Sequence, residues 1–262
     1  MQAMFADGQV AVTACGEGPP LVLLHSLLAD RTSFDRVTPA LGRDFRLLLP
    51  DLPGFGASAP APGGLEAVAD RVGAALRAAT GGRPAAGLGN GYGGFVLLLC
   101  ALRHPDLFDR LVFADCGACF PEPGRAAFRG MAGAAAEKGL AAIADTAMRR
   151  LFAPAFQAAH PDLMAERRAA FLRTDVDVFR AACAALAGLD LRARLSEIRA
   201  PALVLVGEED EATPPAMARE LAAGLPDARF VTLPDCAHVP QLQAPEMFAR
   251  EVQAFLRPGA AA

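Results

Sequence analysis

Apolar residues along this chain gather in short unbroken runs that recur between longer stretches of helical period. The runs Pro20 to His25, Phe45 to Asp51, Arg83 to Gly89, Arg110 to Asp115, Pro201 to Gly207 and Ala228 to Pro234 have strand length and stop at polar residues or glycine. Unbroken runs, as opposed to alternating ones, suit strands covered on both faces. Leu65 to Ala79, Tyr92 to Arg103, Pro215 to Ala223 and Pro245 to Leu256 read as helices between them. The alternation predicts an α/β fold: a mostly parallel central sheet with helices on both faces, right-handed crossovers, and functional loops at the carboxyl ends of the strands.

The rhythm breaks between about Gly117 and Leu189. This interval is alanine-rich, carries Phe120, Phe128, Phe152, Phe156, Phe171 and Phe179, and shows no strand pattern. It is expected to form a helical cap over the carboxyl edge of the sheet. Residues 1–116 and 190–262 then form the core, and 117–189 the cap, in one structural unit. Most of the cap phenylalanines are expected in its own core.

Composition narrows the class. With 262 residues, 53% hydrophobic and 21% charged, the chain can bury one sizeable core without a second domain. The net charge of -4 is dispersed, with no basic run to make a nucleic-acid footprint, so the expected partner is a small-molecule substrate. Homo-oligomerisation is left open. No apolar stretch is long enough for a membrane span. The six cysteines, with no leader-like N-terminus, read as reduced thiols in a cytoplasmic protein. Cys116 and Cys119 have C-x-x-C spacing but follow a mid-chain strand, which is the wrong place for a redox motif. A single lysine among 25 basic residues suggests a GC-rich bacterial genome.

The stretch Leu88 to Phe95, LGNGYGGF, has the frame of a nucleophile elbow, G-x-S-x-G, with its outer glycines at Gly89 and Gly93. Its middle position, normally serine, is Gly91. Around it stand LLHSLLAD, LLLPDLPGFGAS, VGEEDEATPP and LPDCAHVPQLQAPE, in that order with GNGYGG third. Over nearly its full length the chain resembles the α/β-hydrolase fold superfamily. Among its branches the chain looks most similar to enol-lactonases and the related carbon–carbon bond hydrolases.

The resemblance implies roles for particular residues. His238 would be the acid–base residue and Asp210 the acid that holds it, with Glu208, Glu209, Glu211 and Asp115 as rivals for the second role. The amides of Leu27 and Tyr92 would form an oxyanion hole, which survives the loss of serine because backbone N–H groups build it. His25 and Ser26 are candidates for substrate contact, His25 more as a buttress of the oxyanion loop. Asp51 shapes its own loop, and His104 and His160 look like helix-end residues. Cys116 and Tyr92 are candidates for a displaced nucleophile. No metal site follows from dispersed histidines, and no cofactor is implied.

Gly91 leaves several readings open. His238 and Asp210 can act by general-base catalysis on a small activated acyl substrate such as an enol-lactone, an ester or a related compound, without a serine nucleophile. The same histidine can move protons in a lyase or isomerase. The chain can also be an inactive ligand-binding relative, or an ordinary serine hydrolase in which glycine has replaced the serine.

Overall fold

Each apolar run becomes a strand because its alternate residues meet two different packing layers. In the computed structural model, which describes residues 1–257, the strands are β1 (Gln2–Phe5), β2 (Val10–Cys15), β3 (Pro20–Leu24), β4 (Arg46–Pro50), β5 (Ala85–Asn90), β6 (Phe108–Ala114), β7 (Ala202–Gly207) and β8 (Ala228–Leu233). They form one sheet in the order β1-β2-β4-β3-β5-β6-β7-β8. From β4 onward along that order every pairing is parallel. Leu21 and Leu23 of β3, Leu47 and Leu49 of β4, and Leu203 and Leu205 of β7 face one layer. Their neighbours Val22, Leu24, Leu48, Val204 and Val206 face the other. Both faces are therefore apolar, which is why these runs do not alternate in sequence.

The helices are α1 (Thr38–Leu41), α2 (Gly64–Thr80), α3 (Tyr92–Arg103), α4 (Glu122–Lys138), α5 (Ala144–Leu151), α6 (Pro154–Ala159), α7 (Pro161–Leu172), α8 (Val176–Gly188), α9 (Pro215–Gly224), α10 (Pro240–Gln243) and α11 (Pro245–Leu256). Phe248, Val252 and Leu256 of α11 join Leu41 of α1 in the layer on one face. Val68, Val72 and Leu76 of α2, most of α3, and Met217 and Leu221 of α9 cover the other. Crossovers of helical length make this parallel arrangement reachable by the chain.

The helices α4 to α8 fall in the interval that broke the rhythm. Phe120 packs edge-on against Phe128 at 4.8 Å, and Phe171 against Phe179 at 5.7 Å; the second pair is fully buried in packing, whereas the first also lines a cavity. The last five positions of the expected core segment lie outside the described residues.

The strands β1 and β2 are additions to the expectation. They pair antiparallel with each other, and β2 pairs antiparallel with β4. The turn between them uses Ala6 and Asp7 at positive φ, followed by Gly8. An exposed four-residue edge strand has no unbroken apolar run, so a search tuned to buried strands passes over it.

Candidate active site

The site is assembled from the carboxyl ends of β3, β5, β6 and β7 and from the loop after β8. Asn90 ends β5, Gly91 turns the chain, and Tyr92 opens α3. Gly91 has φ 53° and ψ -119°, a left-handed conformation that side chains with a Cβ rarely adopt. Its carbonyl accepts from the Gly94 amide at 2.8 Å, closing the turn. At Gly93 a Cβ would run into the Leu24 carbonyl, so β3 and α3 touch backbone to backbone there. The turn is tight and closed, and residue 91 contributes no side chain to it.

His238 is buried and oriented. Its Nδ1 donates to Asp210 Oδ2 at 2.9 Å, and Thr213 Oγ1 donates to the same oxygen at 2.5 Å. The amides of Ala212 and Thr213 donate to Asp210 Oδ1 at 2.8 and 3.0 Å. Burial pushes the Asp210 carboxyl up, but the charge of His238 and the hydrogen bonds from His238 and Thr213 outweigh it and hold the group below the ordinary carboxylate range. An ionised Asp210 fixes the imidazole with its proton on Nδ1 and leaves Nε2 free to accept. Glu208, Glu209 and Glu211 are exposed beside it and make no contact with the ring.

The other rival, Asp115, is fully buried behind the pair and accepts from the Gly207 amide at 2.8 Å. Burial, followed by the nearby charge of Asp210, pushes its carboxyl well up. Ligand-type atoms of Asp115, Asp210 and His238 lie within 4.8 Å of one another. The hydrogen bonds account for this cluster: Asp210 orients the imidazole, and Asp115 accepts from the Gly207 amide and from Asn90 Nδ2 at 3.4 Å.

Asn90 sets the spacing between the elbow and the histidine loop. Its Nδ2 donates to the His238 carbonyl at 2.9 Å, and its Oδ1 accepts from Gln241 at 3.0 Å. Nothing in the sequence pattern singled out Asn90 or Gln241, because buried amide bridges leave no periodic trace. The Nε2 of His238 faces the space above Gly91. A Cβ placed on residue 91 would lie 2.6 Å from that nitrogen and 2.6 Å from Ser26 Oγ.

Leu27, Tyr92 and Ser26 line one cavity with Gly91 and His238. Among the described residues, neither the Leu27 nor the Tyr92 amide donates to another group, as an oxyanion hole requires. The cavity is narrow, with about 30 Å³ open to the centre of a water-sized sphere, and its wall includes Phe95, Phe120 and Leu186. Arg150 of α5 also reaches it. No carboxylate pairs with this half-buried guanidinium among the described residues, and its nearest ring, Phe128, lies 5.9 Å away. Burial lowers the Arg150 pKa, against the charges of Asp210 and Glu211.

His25 does not line the cavity. The ring is fully buried below the cavity. Its Nδ1 donates to the Ser26 carbonyl at 3.0 Å, and its Nε2 accepts from the Leu52 amide at 3.1 Å. With both nitrogens occupied it holds the Ser26–Leu27 segment in place. Cys116 and Tyr92 are likewise poor nucleophiles, since burial pushes the pKa of each well above its ordinary value. Asp51 pairs with Arg31 at 3.2 Å, and His104 lies 3.0 Å from Asp70; neither lines the cavity.

A clamp joins the helices to the oxyanion loop. Asp30, just beyond Leu27, accepts from Arg173 at 2.8 Å and pairs with the buried Arg167 of α7 at 3.5 Å. Arg167 also donates to Thr32 at 3.0 Å.

An elbow at the carboxyl edge of a mostly parallel sheet, with an acid-held histidine over it, defines a protein of α/β-hydrolase architecture. Residues 21–251 match the Alpha/beta hydrolase family, and the chain belongs to it. It is 32% identical over 260 residues to a pimeloyl-acyl-carrier-protein methyl ester esterase of Aromatoleum aromaticum, covering 91% of this chain and 98% of that one. It is 27% identical over 165 residues to 3-oxoadipate enol-lactonase 2 of Acinetobacter baylyi, covering 63% of this chain and 61% of that protein. The crystal structure of the enol-lactonase from Burkholderia xenovorans LB400 superposes with a TM-score of 0.90 at 29% identity, covering 98% and 99% of the two chains. Among the described residues no helix is long and apolar enough to cross a membrane.

Proposed function

We propose that this protein hydrolyses a small activated acyl substrate, an enol-lactone or ester, with His238 and Asp210 as its acid–base pair and no nucleophile at position 91. The observation that carries this reading is the buried His238–Asp210 hydrogen bond of 2.9 Å, with Nε2 turned toward the space above Gly91. A pocket that only binds has no use for such a pair. The substrate carbonyl oxygen sits between the amides of Leu27 and Tyr92, and His238 takes the proton of the attacking hydroxyl.

Positioned base catalysis contributes roughly 10²- to 10⁴-fold, and each oxyanion donor roughly 10²- to 10³-fold. Those magnitudes suit acyl groups with good leaving groups. They fall short of amides. Residues 117–189 serve as the cap that closes the pocket, and Arg150 within it selects substrates that carry an anionic group. The esterase and enol-lactonase relatives support this class.

The test compares wild type with His238→Ala on p-nitrophenyl esters and an enol-lactone. Turnover is expected to fall at least 10²-fold. Equal turnover by the two proteins would end the acid–base reading.

A further inference from the structure

Gly91 takes the hydroxyl away from one strand end, and the adjacent strand end brings another to the same point. Ser26 follows β3 directly after His25. Its side chain is buried and lines the cavity. Its Oγ lies 3.4 Å from His238 Nε2, the one ring nitrogen that Asp210 leaves free. It also lies 2.6 Å from where a Cβ on residue 91 would stand. From the geometry we infer that Ser26 is the nucleophile of this site, so that Ser26, His238 and Asp210 form a triad with its hydroxyl moved from the elbow to the oxyanion loop. This rests on the hydrolase reading above and names the attacking hydroxyl.

Three features make Ser26 more than a neighbour. The order of contacts, Oγ to Nε2 and Nδ1 to carboxylate, is that of an activated serine. A separation of 3.4 Å is loose for a formed hydrogen bond, and such contacts are often loose before substrate binds. The main chain at Ser26 is held rigidly, with its carbonyl accepting from His25 Nδ1 at 3.0 Å and from the Ala29 amide at 3.3 Å. Finally, the absent Cβ at Gly91 leaves room for the carbonyl carbon that Oγ attacks. A serine at both positions would crowd that room.

The chemistry balances without another reagent. His238 Nε2 takes the Ser26 proton as Oγ bonds to the carbonyl carbon, and the carbonyl electrons move to an oxyanion held by the Leu27 and Tyr92 amides. The bond to the leaving oxygen breaks, and that oxygen receives the proton from His238. Water then gives its proton to Nε2 and attacks the acyl-Ser26 ester. Ser26 Oγ leaves, recovers the proton and releases the acid.

The test is labelling with diisopropyl fluorophosphate followed by peptide mass spectrometry, with p-nitrophenyl butyrate turnover measured alongside. The expected adduct is on the peptide containing Ser26, and it disappears in His238→Ala. Ser26→Ala is expected to lose the adduct and at least 10²-fold in turnover at an unchanged melting temperature. Ser26→Cys is expected to retain a burst of p-nitrophenol, with a thioester detectable on residue 26. No adduct on wild-type Ser26, or full turnover by Ser26→Ala, overturns the inference. If Ser26→Ala keeps a turnover that His238→Ala loses, only the Ser26 assignment falls and a water attacks instead. If wild type is labelled at Ser26 but turns over no ester or lactone, the assignment stands and the proposed function falls.

Discussion

Returning a serine to the elbow is the sharpest test of how this site is arranged, and the structure says that Gly91→Ser alone should do harm. The backbone at φ 53° and ψ -119° is strained for a residue with a Cβ, at a cost of about 1–3 kcal/mol. In a chain of this size each kcal/mol moves the melting temperature by about 2–4 °C, so a fall of roughly 2–12 °C is expected from the backbone alone. The new Cβ would also stand 2.6 Å from both His238 Nε2 and Ser26 Oγ. Ser26 can rotate away, but the ring cannot move without loosening its bond to Asp210. Gly91→Ser is therefore expected to melt lower and to lose ester turnover. The double variant Gly91→Ser with Ser26→Gly removes one of the clashing atoms. It should recover part of the lost stability and carry a fluorophosphate adduct on residue 91. Sites in direct contact typically couple by about 0.5–3 kcal/mol, so a double-mutant cycle by calorimetry and burst kinetics reads the effect. A single variant that melts and turns over like wild type, or a cycle that closes with no coupling, would refute the picture of a shared space.

Two further outcomes follow from the charges. The unfolded chain ionises Asp115 near pH 4, whereas burial and the charge of Asp210 raise its pKa in the folded chain. Its contribution to stability is thus full below that pH and is lost as pH rises toward the folded value. Asp115→Asn cannot ionise and keeps an acceptor for Gly207, so its melting temperature relative to wild type should climb as pH rises above about 4; a constant difference would contradict the assignment. Arg150→Gln removes a charged donor from the cavity wall. A hydrogen bond to a charged group is worth about 1.5–3 kcal/mol, so kcat/KM for esters bearing a carboxylate should fall roughly 10- to 150-fold while neutral esters of equal size are unaffected. Equal losses for both would show that Arg150 does not read charge.

The sequence pattern reached most of the sheet because buried parallel strands write themselves as unbroken apolar runs; Leu21 to Leu24 and Ala202 to Val206 are examples. It missed β1, whose exposed residues carry no such signal, and β2 beside it, which is only buried over its first half. Motif order brought Gly91, His238, Asp210 and Ser26 into view, and the fold places Gly91, His238 and Ser26 around one cavity with Asp210 bonded to the histidine's other nitrogen. The relation of Ser26 to His238 was invisible because 212 residues separate them, and only the meeting of two strand ends makes them neighbours. For His25 the resemblance favoured a buttress, but the backbone groups that occupy its two nitrogens come only from the fold. Arg150 carried no motif and emerges only from its position, unpaired, in the cavity wall.

The clamp at Asp30 has a mechanical consequence. Arg167 and Arg173 tie α7 and the turn after it to the residue just beyond the Leu27 amide. Arg167 and Arg173 therefore couple any displacement of α7 to the segment that carries the Leu27 amide, so a substitution that weakens either pair is felt at a cavity whose wall α7 does not reach.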